Sequence, residues 1–498
     1  MSGEVSTIDP NAVRRYGRWT RPSSTGLLGM SWGVTIMSAI AFVLVMAVVL
    51  LTQNYIAAAV LLLLEIIIIL PFALHRGGIT VFEWLVRRML FSFSLFRGEN
   101  DFNGGVFGKV PGIARMPGIA GNSHLYEYEL STGERFGMIH WRGKDHYSIV
   151  FAVSPRGQER IDQWQINEWI TGVSDLLAHQ GAETGASAVV ITADSIPDHG
   201  ERLRAEVVRI HDPQAPEFVL EAQAAEVYER GSATVRTEVR LALTYTRQRG
   251  VKEPLDQAKA IGNLVSTLKD DLRRAGVSAS ILSAGEIATI PMRAYNPELT
   301  GDLEAISQSG GQDVVRWDAA GPMSATNKFD RYLHNGHVSV SWVMAEPPSI
   351  TVPATNLTPL LTPRTSLVRK RVSIVYRIHR SKESVAMVDA DFREAVAAEQ
   401  SKSGPASAAA TIRVQNAQAV REEQGYGAGL TRFGMYITLT AERGDDLPGR
   451  TAELEGLAMQ SRLLLRRCWA DQDAAFLASL GLGVIMPEYA VGRLRFLE

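Results

Sequence analysis

Residues 27–52 read LLGMSWGVTIMSAIAFVLVMAVVLLT, residues 53–54 read QN, and residues 55–74 read YIAAAVLLLLEIIIILPFAL. The first run has no charged residue and the second has only Glu65. Each is long enough to cross a bilayer, which takes about 20 apolar residues. The polar link Gln53-Asn54 is too short to do anything but reverse the chain, so the two runs are expected to pair as a transmembrane helical hairpin, the second ending at Pro71. A cleaved signal sequence would instead have one short apolar core and a small-residue cleavage site. Arg14, Arg15, Arg18 and Arg21 precede the first run, Arg76, Arg87, Arg88 and Arg97 follow the second, and the link has neither Lys nor Arg. By the positive-inside rule both ends of the hairpin are expected on the cytoplasmic side of an inner membrane, making the chain multi-pass with both termini inside.

Outward from the hairpin, residues 79–96 (ITVFEWLVRRMLFSFSLF) mix aromatic and aliphatic residues with an arginine pair, the pattern of a helix lying in the membrane interface. Glu65 is the one ionisable residue inside either run, and such groups often mark a proton or substrate path. Without a cationic partner in the hairpin it reads more simply as an intramembrane contact, helix to helix or subunit to subunit. Residues 1–97 carry a net charge of +4 and the rest of the chain −6, for a total of −2. That balance lacks the basic surface of a general nucleic-acid binder, so no direct nucleic-acid binding is expected. The single cysteine, Cys468, can form no internal disulfide and no thiolate metal site, which suits a reducing compartment.

Residues 98–121 are rich in glycine and proline and are expected to form a linker. Phe136–Trp141 and Tyr147–Val153 then read as a hairpin of strands turning at Arg142-Gly143-Lys144-Asp145. Ile161, Trp164, Trp169, Ile170, Val173, Leu176 and Leu177 recur at helical spacing before a strand at Ala188–Thr192. Slid against itself by 194 residues, the chain repeats: Thr244, Thr246, Arg249, Gly250, Pro254, Ala258 and Gly262 recur as Thr438, Thr440, Arg443, Gly444, Pro448, Ala452 and Gly456. Each copy reads as a period-two strand, an Arg-Gly turn, a proline suited to the first helical turn, and a helix whose small residues let it approach a sheet. Between the copies, residues 345–364 carry five prolines and look like a crossover, and Val372–Ile378 reads as a strand. Glu383–Gln424, interrupted at Gly404-Pro405, is helical in pattern but poor in large apolar residues, as expected of an exposed or partner-facing arm.

The fold class expected is therefore a membrane-anchored α+β protein, an N-terminal two-helix transmembrane hairpin followed by two related α+β lobes built around one or two sheets. The organisation runs as a tail over 1–25, the hairpin over 26–75, an interfacial helix and linker over 76–122, a first lobe over 123–345 and a second lobe with the arm over 346–498.

Chemical motifs are sparse. A phosphate loop needs G-x-x-x-x-G-K-[ST], and the nearest approach, Gly108-Lys109, has Asn103 in place of the first glycine and Val110 in place of the hydroxyl. Gly310-Gly311 has no lysine beside it, the ten histidines show no metal-ligand spacing, and G-x-S-x-G is missing. His140 and His146 flank a turn and are expected at the surface, while Cys468 beside Trp469 reads as a buried small residue. Neither catalysis nor a cofactor is expected.

The hairpin followed by repeated α+β lobes resembles the integral membrane proteins of actinobacterial conjugative type IV secretion clusters, which carry a PrgI-like membrane hairpin. The part after the hairpin looks like the N-terminal domain of the conjugal-transfer ATPase, notably in Leu457–Met486, where a helix leads into Asp473-Ala-Ala-Phe-Leu-Ala-Ser-Leu-Gly. The resemblance implies a non-catalytic scaffold without the motor, which docks a separate secretion ATPase and a polytopic channel subunit and assembles as a homo- or hetero-oligomer. A neighbouring reading is a membrane component of a type VII-like apparatus, since Phe136-Gly-Met-Ile-His-Trp-Arg-Gly resembles its early strand. A membrane-bound enzyme or sensor with an unrecognised site is the alternative of another class.

Overall fold

The structure, a computed structural model, describes residues 13–489 apart from 18, 20–31, 77–78, 106–107, 109–113, 156–160, 199, 211, 213, 231–233, 249, 252, 312–313, 349, 380, 401–407 and 426–430. Expectations that fall on Arg18, Arg21, Leu27, Lys109, Val110, Arg249, Gln312, Gly404 and Pro405 lie outside the described residues. The chain is mixed α+β and is built on one large antiparallel sheet.

Helix α1 (Trp32–Thr52) packs against α2 (Tyr55–Ala73) across the Gln53-Asn54 link. Gln53 takes φ +51°, and the Asn54 side chain accepts a hydrogen bond from the Ala57 amide, so the link itself caps the second helix. Pro71 lies inside α2 rather than ending it, and the helix runs on to Ala73. Among the described residues one stretch, Tyr55–Phe72, is long and apolar enough to cross a membrane, while α1 contributes a shorter apolar stretch, Ser38–Leu51. Thr80 then caps α3 (Val81–Phe96) by accepting from the Glu83 amide.

The expected linker contributes β1 (Asp101–Asn103) to the main sheet, because a strand this short has no period for a sequence reading to detect. The first half of the sheet follows as β2 (Ser123–Glu129), β3 (Arg135–Trp141), β4 (His146–Pro155), α4 (Gln163–His179) and β5 (Ala186–Asp198), then α5 (Glu201–Ile210), α6 (Glu217–Arg230), β6 (Thr234–Thr246), α7 (Pro254–Arg274), β7 (Val277–Ile281) and α8 (Ala284–Tyr295). Helix α9 (Thr300–Gln308) leads to the second half: β8 (Ser324–Asn327), β9 (Tyr332–His334), β10 (His337–Glu346), α10 (Thr358–Leu361), β11 (Arg369–Ile378), α11 (Ser381–Gln400), α12 (Ala408–Gly425), β12 (Thr431–Glu442), α13 (Leu447–Gln460), β13 (Leu464–Arg467) and α14 (Gln472–Ser479).

These thirteen strands join one sheet in the order β1-β8-β9-β10-β12-β11-β5-β6-β4-β3-β2, with β7 on β4 and β13 on β10, and two small two-stranded sheets pair Arg15–Tyr16 with Val352–Pro353 and His75–Arg76 with Ile79–Thr80. Outward from the β11–β5 seam both halves follow the same strand order, fourth, fifth, third, second and first in chain order: β5-β6-β4-β3-β2 on one side, β11-β12-β10-β9-β8 on the other. The helices repeat too, a helical pair before β6 and β12, a long helix after each, and α8 or α14 after the short strand. The repeated threonines occupy one environment: Thr244 hydrogen-bonds Ser148 of β4 at 3.0 Å, and Thr438 hydrogen-bonds Ser341 of β10 at 2.8 Å. Pro254 and Pro448 both sit in the first turn of their helices, and Gly250 and Gly444 both take positive φ.

Of the two expected arrangements, one sheet or two, the halves share one, since the seam pairs Arg371 with Asp194 and Ser373 with Thr192 in one continuous ladder. The expected division at 345/346 cuts the second half, because β10 pairs with β12 and β13 beyond it. The small-residue face holds for α7, where Ala258 is buried and Gly262 lies close to Leu130 and Phe136. It fails for α13, whose Ala452 is exposed and whose Gly456 faces open space.

Both faces of the sheet are covered, which is why its central strands read as nearly continuous apolar runs. On one face α7 and α4 close a core around Phe136, Tyr147, Phe151, Leu243 and Leu268, and α13 closes another around Trp342, Ile437, Leu439 and Leu454. On the other face α8 and α14 share a single core spanning both halves, including Trp141, Val190, Val375, Tyr295 and Phe476. Helix α8 opens with a capping box in which Ser283 and Glu286 each accept from the other's amide.

Candidate functional site

No group of three or more His, Cys, Asp or Glu side chains capable of holding a metal occurs among the described residues. The features that invite a functional reading are instead the apolar hairpin, the helix joining it to the sheet, and the exposed arm.

Within α2, Leu61, Glu65 and Ile69 form the less exposed stripe, and Ser38, Ala41, Val45 and Val48 form its counterpart on α1. Glu65 therefore lies on the packed side of the hairpin, with one carboxyl oxygen enclosed and without a hydrogen-bond partner among the described residues. Around this stripe the helices bare Phe42, Leu50, Leu51, Leu63, Ile67 and Ile68, which in water would be an unusually large apolar surface.

Helix α3 is two-sided. Arg87 bridges Glu83 at 2.9 Å on its own helix and Asp471 at 3.1 Å just before α14, and Arg466 of β13 approaches Glu83 at 3.8 Å. Trp84 and Phe91 meet the buried Phe329 edge-on at 5.8 and 5.6 Å, while the Arg88 guanidinium stands 4.7 Å over the same ring. Phe72 of α2 stacks on Phe82 at 4.0 Å, tying the hairpin to this helix. On the opposite side Leu85, Met89, Phe93 and Phe96 are exposed at helical spacing, Phe96 to 93 %.

Helices α11 and α12 pack on each other as the arm, with Val388, Ala395 and Ala417 in the seam and cross-links Arg421–Asp389 and Arg413–Glu394. Its remaining surface is mostly polar.

His140 and His146, expected at the surface, are 6 % and 3 % exposed. His140 stacks on Tyr147 at 4.3 Å and meets Asp145 at 2.9 Å, and His146 meets Glu488 at 3.2 Å. Burial lowers the His140 pKa, with the Asp145 contact acting against it. Cys468 is half-buried after β13, where desolvation pushes its thiol up to about 12 and leaves it a poor nucleophile. Asp473, the first residue of the segment that carries the family resemblance, accepts from Asn327 at 3.0 Å. The end of that segment straps the sheet: Ser479, Leu480 and Gly483 carbonyls accept from Ser373, Arg240 and Thr244.

One group escaped the sequence reading. Arg236, Glu238 and Arg240 of β6 and Arg369 and Arg371 of β11 come together under α8 and α9 with Asp194, Arg293 and Glu304. Burial raises the Glu238 pKa, but Arg293, Arg236 and Arg240 outweigh it and hold the carboxyl at about 2. Its signal was available as charges at alternate positions within otherwise apolar strands.

These features define a mixed α+β protein with a large antiparallel sheet and a helix long and apolar enough to cross a membrane. A family model described as a domain of unknown function (DUF8461) matches residues 23–83, the stretch from before the hairpin to the first turn of α3. Comparison with curated proteins gives no match.

Proposed function

We propose that the chain is a non-catalytic inner-membrane scaffold of a type IV secretion or conjugal transfer machine, anchored by the hairpin α1–α2 and docking a separate ATPase on the cytoplasmic side. The observation that carries this reading is the two-sidedness of α3. One side is fixed to the sheet through Arg87, Trp84 and Phe91, and the other presents Leu85, Met89, Phe93 and Phe96 in continuity with the hairpin. An apolar outer face next to a membrane-length helix is suited to the lipid interface, so the sheet would be held against the membrane at a fixed attitude. Crossing by both α1 and α2, with Glu65 as an intramembrane contact, belongs to the same proposal. The resemblance to conjugative secretion proteins supplies the partners, the ATPase and a polytopic channel subunit. The chain's own sequence has no phosphate loop with which to hydrolyse ATP.

The arm is the docking element in this scheme, because its polar outer faces add little to the sheet's core and are free to meet a partner. Deleting residues 385–422 is expected to abolish co-purification with the ATPase and stop export while membrane insertion persists. ATP hydrolysis by the purified chain alone, or unchanged complex formation and export after the deletion, overturns the proposal.

A further inference from the structure

The buried charges at the seam of the two halves do not balance. Directly opposed positions on neighbouring strands share a face, so the pairings Arg371–Asp194 and Asp194–Glu238 put these side chains on one side of the sheet. Arg236, Arg240, Arg293, Arg369 and Arg371 meet Asp194, Glu238 and Glu304 there. All three carboxylates are engaged: Asp194 with Arg240 at 2.9 Å, Glu238 with Arg293 and with Arg236, and Glu304 with Arg236. Among the described residues Arg369 donates to neutral acceptors, the Pro297 carbonyl at 2.6 Å and the Thr300 hydroxyl at 3.2 Å, while Asp194, Glu298 and Glu442 attract it without a hydrogen bond. Arg371 is 4 % exposed, and its guanidinium makes neither a hydrogen bond nor an ion pair among the described residues. Its guanidinium lies 4.5 Å over the Phe476 ring.

The carboxylate facing Arg371 across the ladder, Asp194, is already paired with Arg240, and a buried guanidinium that shares its only near anion is disfavoured, because its charge has left water with partial compensation. Burial outweighs the attraction of Asp194 and pulls Arg369 and Arg371 down to about 10. Arg293, Arg369 and Arg371, with Asp194 and Thr440, line a cavity of about 20 Å³. That is space for one water-sized or halide-sized particle. A water would satisfy donors but not charge. We propose that this cavity binds a small inorganic anion of chloride size, held by Arg371 together with Arg369 and Arg293. Placed beside the β11–β5 ladder, the anion ties the two halves of the sheet together, so its effect is read as stability of the whole body.

The test uses the full chain purified in detergent, melted in sodium chloride, in sodium bromide and in sodium gluconate at equal ionic strength. The melting temperature is expected to rise saturably with either halide, by about 3 °C at one hundred times the dissociation constant, and not with gluconate. Arg371→Met is expected to lose the halide response. Arg371→Lys is expected to keep a weaker one, since a lysine restores the charge without the planar fork. Chloride-35 NMR of the unaltered chain gives a readout that needs no variant, with line broadening that bromide competes away. Identical melting in chloride and gluconate, a halide response that survives in Arg371→Met, or no competable broadening overturns the proposal and leaves the cavity to water.

Discussion

His334 illustrates how far burial alone can move a side chain. It is fully enclosed, donating from Nδ1 to the Tyr295 carbonyl at 3.0 Å and contacting the Ser339 hydroxyl through Nε2 at 2.9 Å. Burial, with Arg371 and His337 adding to it, lowers its pKa to about 3, so it is neutral in the folded state throughout the physiological range. The unfolded chain takes up this proton near pH 6.5 and the folded chain does not, so the His334 contribution to stability is lost as pH falls from about 6.5 toward 3. Relative to His334→Gln, the chain should lose about 2 kcal/mol more between pH 7 and pH 5, measured by denaturant unfolding at each pH. Asp473 acts in the opposite sense, since burial raises it to about 6 and the folded state then binds a proton first, but it is common to both proteins and drops out of the difference. Equal pH slopes for the two would show that His334 titrates normally. Histidines were the least legible residues in the sequence. The partners of this turn come from the far end of the chain, Glu488 against His146 and Tyr489 against Gly143 and Lys144, and no local pattern announces that a turn will be roofed over.

Elements were more legible where they recur. The Thr-x-Thr strand end, the glycine turn and the helix-opening proline are local devices, so both copies carry them visibly in sequence and both use them alike in the fold. Strand lengths were less legible: β5 extends to Asp198, six residues past the expected Thr192, because its end is stabilised by β6 and by the charged seam rather than by its own apolar run. The strap over the sheet supports a direct comparison between two glycines of nearly equal positive φ. Gly250, in the repeated turn, has φ +89° and open space around a would-be Cβ. Gly483, in the strap, has φ +85°, but a Cβ would stand 2.5 Å from the Ser148 and Thr244 hydroxyls, which bond to each other and to the strap. Gly250→Ala should cost about 1 kcal/mol, the left-handed backbone strain alone. Gly483→Ala should cost at least about 2 kcal/mol more, because neither hydroxyl can retreat without breaking a buried hydrogen bond. Similar losses in chemical denaturation would mean that the strap lifts easily from the sheet.

At the scale of the molecule, the apolar hairpin was the feature most directly written in the sequence, while the choice between one sheet and two was not, since the β11–β5 seam joins strands nearly two hundred residues apart. The proposed arrangement places that sheet wholly on one side of a membrane and only the Gln53-Asn54 link on the other. The arginines flanking the hairpin oppose translocation of either end, and none sits in the link to oppose its exit. The single cysteine makes this testable without fusion partners, because Cys468→Ser leaves a chain with no thiol at all. In that background a Gln53→Cys variant puts a thiol on the exposed link, and a Ser309→Cys variant puts one on an exposed turn after α9. A membrane-impermeant maleimide added to intact cells should label the first and spare the second, and lysis should make both reactive. Labelling of the Ser309→Cys variant in intact cells would put the sheet outside and reverse the orientation. Protection of the Gln53→Cys variant before lysis, with labelling after it, would mean that the link never crosses and that α1 and α2 lie along the membrane instead. An intramembrane role for Glu65 would then fall as well, because a hairpin lying flat exposes the carboxyl to the headgroup region, where burying it between helices is no longer required.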